Sequence, residues 1–292
     1  MGAQGDPFEF GLSTEGGPFA AGDLAAAAAA TAHRLDWVLW YEEFHAAPPL
    51  PAVDAVRQLG ARPVITWEPW HWRGRCPVRM RELAAGVHDR HLRWWAAQLA
   101  TAGCTVYLRF GHEFNGHWYP WSPASGVSPQ CFVEAWRHIH DVVSDACDTA
   151  SWVWSPTAGV PPGPALEEWY PGERYVDVIG VDGYNWGASQ AWSRWVQPDE
   201  LFGATLAEIT TITADKPVLI TEVGCSEAGG SKADWIGALL DYLTTRPEIE
   251  GLIWFDHDKE TDWRITSSPE TAAAMATALR RTTSRRPWGS LR

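Results

Sequence analysis

Eight short apolar runs, each giving way to a polar or aromatic cluster, constrain this chain more than any other feature. They cover residues 8–12, 35–40, 63–67, 105–110, 151–154, 176–181, 217–221 and 251–255. Between them lie segments with apolar residues every three or four positions, at 51–59, 78–102, 129–146, 199–212, 235–243 and 271–279, and an alanine-rich segment at 23–33. Runs this short and this continuous mark strands buried on both faces, and the three-to-four spacing marks helices laid against them. Helix-end residues fall where that reading needs them, with Asp23 and Asp199 as caps, Gly60 and Gly103 as stops, and Ser231 three residues before Asp234. Strand and helix in alternation, with no internal repeat and no linker, predict an α/β chain, and eight units predict a single (β/α)8 barrel. A doubly wound fold would need G-x-G-x-x-G after the first run, and GLSTEGG does not supply it.

Length agrees with one barrel. The 292 residues exceed the roughly 250 of a typical example, so residues 1–282 are expected to form the barrel and 283–292, the end of a basic stretch, a solvated tail. A formal net charge of −13, from 36 acidic and 23 basic residues, argues against a nucleic-acid partner. No apolar stretch reaches the ~20 residues of a membrane span. The start, MGAQGDPFEF, lacks the basic and apolar regions of a signal peptide, so the expectation is a cytoplasmic protein or one whose signal has been removed. The five cysteines form no CxxC pair and are expected to be mostly buried small residues. Twenty tryptophans are the outlying number, enough for both core packing and flat platforms for ring-shaped ligands. A monomer is expected.

In a barrel of this kind every strand end lies on one rim, where chemistry collects. The residues there are Glu68 after the third run, His112 and Glu113 after the fourth, Asp182 and Tyr184 after the sixth, Glu222 after the seventh, and Trp254 and Asp256 around the eighth. The fourth run ends in LRFGHEFNGHWYPW, which adds Arg109 and Trp118. Strands four and seven face each other, so Glu113 and Glu222 can flank one bond. Two carboxyl groups so placed suit glycoside hydrolysis, in which one stays protonated and the other ionised. Arg109 could hold a carboxylate charged, and an aromatic wall such as Trp118 could keep an acid protonated. A lone Glu113 would instead read as a structural partner of Arg109. H-E-F-N-G-H is not H-E-x-x-H, so no metal and no cofactor is expected. Asp256, Asp258, Glu260 and Asp262 read as a solvated loop rather than a calcium site, and His138 and His140 as residues of a helix. Trp37, Trp94, Trp95, Trp136, Trp152 and Trp235 lie within strand or helix patterns and are expected to pack.

With RFGHEFNGHWYPW, the strings VDVIGVDGYNW, PVLITEVG and GLIWFDHD make the chain resemble glycoside hydrolase family 26 over nearly its whole length. The resemblance implies a retaining glycosidase with Glu113 as acid/base and Glu222 as nucleophile. It also implies that His112, Trp118, Tyr184 and Trp254 line the sugar site on the non-reducing side. Arg109, Trp70, His71 and Trp186 are further substrate-binding candidates. The implied partner is a polysaccharide or oligosaccharide, cut endo-wise in an open cleft. β-1,4-Mannan, mixed-linkage β-glucan and β-1,3-xylan are the family's alternatives, and WYPW departs from the more aromatic WFWWG-like string of mannanases. A barrel that binds polysaccharide without cleaving it is the reading from another class.

Overall fold

In a computed structural model that describes residues 8–161 and 163–282, the eight apolar runs form eight parallel strands closed into a barrel. They are β1 (Glu9–Thr14), β2 (Trp37–Glu43), β3 (Arg62–Glu68), β4 (Val106–Phe110), β5 (Ala150–Trp154), β6 (Val178–Asn185), β7 (Val218–Cys225) and β8 (Ile249–Asp256). Each pairs with its neighbour in chain order, and β1 closes on β8 from Glu9 opposite Gly251 to Thr14 opposite Asp256. This is the single (β/α)8 barrel expected from the alternation. The expected tail, 283–292, lies outside the described residues.

Nine α-helices surround the barrel among the described residues. They are α1 (Ala21–Thr31), α2 (Leu50–Gln58), α3 (Met80–Ala84), α4 (Asp89–Leu99), α5 (Pro129–Ser144), α6 (Leu166–Trp169), α7 (Pro198–Ile212), α8 (Lys232–Leu243) and α9 (Pro269–Thr282). Their buried stripes follow the spacing of the sequence, as with Leu92, Trp95, Ala96 and Leu99 on α4. Ser231 caps α8 as predicted, its hydroxyl accepting the Asp234 N–H at 3.2 Å. By contrast Asp23 and Asp199 sit inside the first turns of α1 and α7, where they complement the helix dipole without capping.

Two buried clusters divide the core. A large one fills the space between strands and helices. A smaller one, of Trp37, Leu39, Val64, Val153, Val178, Leu219 and Ile253, plugs the barrel interior. The members of the second come from six strands at positions that alternate with those of the first, as side chains on opposite faces of a strand must. Burying each such large side chain contributes about 1.5–3 kcal/mol relative to exposure.

The structure departs from expectation elsewhere in the fold as well. The helix predicted over 78–102 is two helices, because Gly86 takes a left-handed φ of 76° between α3 and α4. The strands β2, β6, β7 and β8 run past their apolar runs. Pairing of Tyr184 with Gly224 and Asn185 with Cys225 continues the ladder after the side chains have turned polar, so Asp182, Tyr184 and Glu222 stand on strands rather than in loops. Trp94 is substantially exposed on α4. Only Cys147 and Cys225 of the five free cysteines are buried, and Cys76 is exposed.

Candidate active site

Above the apolar plug, one pleat further along the same strands, the barrel interior becomes polar. Arg109 projects from β4 into this layer, fully buried. Its guanidinium donates to Asp182 on β6 at 2.6 Å, to Glu222 on β7, and to Thr66 on β3 at 2.9 Å. Thr221 donates to the other oxygen of Asp182 at 2.6 Å and lies 2.9 Å from the Ser155 hydroxyl. Gly180 makes room for this network, since a Cβ there would stand 2.6 Å from the Ser155 hydroxyl and 2.7 Å from that of Thr221. Four strands, β3, β4, β6 and β7, are thereby tied together beneath Glu222.

Glu222 receives three donors. Besides Arg109, Tyr41 on β2 donates to Oε1 at 2.6 Å and Tyr184 on β6 to Oε2 at 2.5 Å. Burial and the nearby Glu222 charge push both phenols well above their usual range, so they remain donors. Such surroundings fix the orientation of a charged carboxylate.

Glu113 is held differently. It follows β4 with a φ of 51°, uncommon for a side-chain-bearing residue, and its backbone N–H donates to the Ser155 carbonyl at 2.7 Å. Its carboxyl accepts one side-chain hydrogen bond, from the Trp118 indole at 2.7 Å. Burial, then the Asp182 and Glu222 charges, push it well above the ordinary carboxylate range, against the opposing pull of Trp118 and Arg109. Burial raises Asp182 also, with Arg109 pulling against it. Burial opposes the charge on Arg109, yet Asp182 and Glu222 outweigh it and hold the guanidinium firmly protonated. Around one guanidinium therefore stand three carboxyl groups, and two charges already exceed what it can balance. Glu113, the carboxyl with the fewest donors, is pushed well toward its protonated form.

Arg109 thus pairs with Glu222 and Asp182, not with Glu113, which removes the structural reading of a lone Glu113–Arg109 pair. Trp118 also acts otherwise than expected, because its N–H favours the charged form while burial and the neighbouring charges favour the acid.

His112 is buried beside Glu113, its Nε2 3.0 Å from the Tyr119 hydroxyl and its Nδ1 without a hydrogen-bond partner. Burial and Arg109 push its pKa well down, so the ring is neutral. Tyr119 stacks at 4.3 Å on Trp121, whose indole donates to the His112 carbonyl at 2.7 Å. Trp70 meets both Tyr119 and Trp121 at right angles, which places it behind the site wall. Trp118 is 45% exposed, and Trp186 stands edge-on to Trp263 and 6.2 Å from Tyr184. His71 lies elsewhere, on a short ribbon that pairs Trp70–His71 with Cys76–Pro77 in the loop after β3.

Trp254 does not join the group. It is fully buried in the outer core, its indole donating to the Trp263 carbonyl, whereas Ile253 belongs to the barrel interior. Successive strand residues face opposite ways, so Phe255 is the aromatic turned toward the site, edge-on to Tyr184 at 5.5 Å and stacked with His257 at 3.8 Å. Sequence reasoning passed over Phe255, His257 and Tyr41. Tyr41 could have been found by counting in twos from Trp37, since Trp37, Leu39, Tyr41 and Glu43 share one face of β2.

No group of three or more His, Cys, Asp or Glu side chains that could hold a metal occurs among the described residues. In the loop after β8, Asp262 forms a two-pronged pair with Arg264, Asp258 lies 3.3 Å from the same guanidinium, and Asp256 accepts the Ile265 N–H at 2.6 Å. Each acid of that loop is thus paired within it, Glu260 with Lys259 at 3.1 Å.

A closed parallel barrel carrying two unlike carboxyl groups at the C-terminal ends of β4 and β7 defines a class: paired-carboxylate (β/α)8 proteins. The sequence profile of glycosyl hydrolase family 26 matches residues 88–255, which include both Glu113 and Glu222, and the chain belongs to that family. Endoglucanase H of Acetivibrio thermocellus is 35% identical over 238 residues, covering 78% of this chain and 25% of that protein. Mannan endo-1,4-beta-mannosidase A and B of Caldalkalibacillus mannanilyticus is 27% identical over 181 residues, covering 58% of this chain and 32% of that protein. The chain thus spans about a quarter to a third of the length of these relatives. The solved catalytic domain of a Bacillus sp. JAMB-750 GH26 endo-beta-1,4-mannanase shares the fold at a TM-score of 0.69 and 18% identity, over 95% of this chain and 86% of that one.

Proposed function

We propose that this chain is a retaining endo-β-glycosidase that cleaves a β-linked glucan, with Glu113 as acid/base and Glu222 as nucleophile. The observation that carries the proposal is the unlike treatment of the two carboxyl groups: three donors for Glu222, one donor and a raised pKa for Glu113. In the first step a Glu222 oxygen attacks the anomeric carbon, the glycosidic C–O bond breaks, and the Glu113 proton passes to the departing oxygen. In the second step Glu113, now ionised, takes a proton from water. That water forms a new bond to the anomeric carbon, Glu222 leaves, and the starting configuration returns.

The surrounding residues take supporting roles. Neutral His112 offers its unpartnered Nδ1 to a sugar hydroxyl, Trp118 and Phe255 flank the ring being cleaved, and Trp186 meets the chain further out. Arg109 acts through Glu222 rather than on the sugar, and Trp70 acts through Tyr119 and Trp121. Glucan is preferred because the relative named as an endoglucanase is the more similar of the two and matches more of this chain. β-1,4-Mannan is the second reading, supported by the relative named as a mannosidase.

The test uses an aryl β-cellobioside with azide as a substitute nucleophile. Glu222→Ala should be inactive until azide is added and should then yield the α-glycosyl azide. Glu113→Ala should yield the β-glycosyl azide through the surviving Glu222 intermediate. Exchange of these two outcomes would reverse the roles. Full activity in both variants would remove the site altogether.

A further inference from the structure

Beside the loop after β3 lies a cleft of about 630 Å³ lined by Glu42, Glu43, Ala46, His71, Trp72 and Arg73. It falls outside the stretch matched by the family profile. Tyr41 and Glu43 are two residues apart on one face of β2, so Glu43 stands about 7 Å further along the strand than the tyrosine bonded to Glu222.

Trp72 is fixed at the edge of this cleft in an unusual way. Its indole N–H donates to the buried carboxyl of Glu68 at 2.5 Å, and its backbone N–H donates to Glu43 at 2.8 Å. Both N–H groups of the residue are thereby used, yet 48% of its surface stays open. An exposed tryptophan is ordinary by itself. One anchored at two points, with carboxylates around it and its face left to solvent, is preorganised for stacking on a sugar while Glu42 and Glu43 accept its hydroxyl groups.

We propose that Trp72, with Glu43, forms a distal subsite that stacks a β-linked glycosyl unit on the β2–β3 side of the cleavage point. This rests on the proposed glycosidase reading, and it explains where a longer glycan chain would gain binding energy that a disaccharide cannot reach. The subsite belongs to the binding of substrate, not to bond cleavage.

The test compares Trp72→Ala with the parent on a hexasaccharide and on an aryl disaccharide. The ratio of kcat/KM for the long substrate to that for the short one should fall about tenfold, as loss of one aromatic stacking contact predicts. Trp72→Phe, which keeps a ring, should recover most of that ratio. A second measurement separates this inference from the activity assignment: calorimetric binding of cellohexaose to Glu222→Gln and to Glu222→Gln/Trp72→Ala. Weaker binding in the double variant supports the subsite even if no turnover is found with any glycan. An unchanged ratio in an active enzyme, or equal hexasaccharide affinity in the two binding variants, overturns it.

Discussion

The turn after β4 and the end of β7 both present a glutamate to the same opening, and they do so by opposite means. Glu222 stands within β7, where the pairing shifts register against both β6 and β8, and within hydrogen-bonding reach of side chains from β2, β4 and β6. Glu113 stands just beyond a strand, on a left-handed backbone, with one indole for company. Rigid surroundings with many donors hold a charge in place, while a poorly solvated pocket with few donors holds a proton. One barrel can therefore supply an acid and an anion from the same residue type, because environment, not identity, decides which is which.

Removing the two carboxyl groups should expose that contrast most strongly. Glu222→Ala should lower kcat/KM by about five orders of magnitude, in the range lost when a covalent nucleophile is removed. Glu113→Ala should cost about 10²–10⁴-fold on substrates with a poor leaving group. With an activated aryl leaving group, which departs without a proton, its first step should be nearly normal. Comparing the two variants on aryl glycosides of graded leaving ability checks the distinction, and an equal loss for Glu113→Ala on all of them would contradict it.

A smaller effect is expected from thinning the donors around Glu222. Tyr184→Phe and Tyr41→Phe each remove one hydrogen bond to a charged group, worth about 1.5–3 kcal/mol, so kcat/KM should fall about 10- to 100-fold. Tyr41 is the sharper case, because Arg109 donates to the same oxygen and could take over part of its role. Steady-state kinetics of the two variants would show whether the oxygens are supported equally.

The mildest change concerns the acid alone. The indole of Trp118 lowers the pKa of Glu113 against burial and the two neighbouring carboxylates. Trp118→Phe should therefore raise it further. Glu113 must be protonated in the free enzyme, so the basic limb of the kcat/KM profile falls as pH rises through its pKa, and in the variant that limb should move to higher pH. A shift to lower pH would mean that the indole acts on the site in some other way.

Much of this arrangement was legible in the chain before any coordinates. Apolar runs located all eight strands, and the barrel rule then brought residues 113 and 222 to one rim, 109 positions apart in sequence. What stayed hidden was direction and partnership. Strand eight reads IWF, and apolar side chains on both faces conceal which aromatic turns inward, so Trp254 was expected where Phe255 stands. Tyr41 lay just beyond an apolar run, because a ladder of backbone hydrogen bonds does not end where hydropathy does. The carboxylate partners of Arg109 come from two other strands, β6 and β7, and no local pattern announces such a meeting. Gly86 was visible only as one glycine in a helical stretch, whose tolerance by a helix depends on what packs around it.

The left-handed turn that carries Glu113 sets turnover and durability against each other. Glycine adopts that backbone freely, whereas glutamate there costs about 1 kcal/mol or more, and a carboxyl held away from water adds to the penalty. Glu113→Gly would relieve both at once. Under the proposed mechanism the chain would then be a sturdier protein and a much slower catalyst on unactivated substrates, its thermal robustness rising at the position where its proton donor is lost.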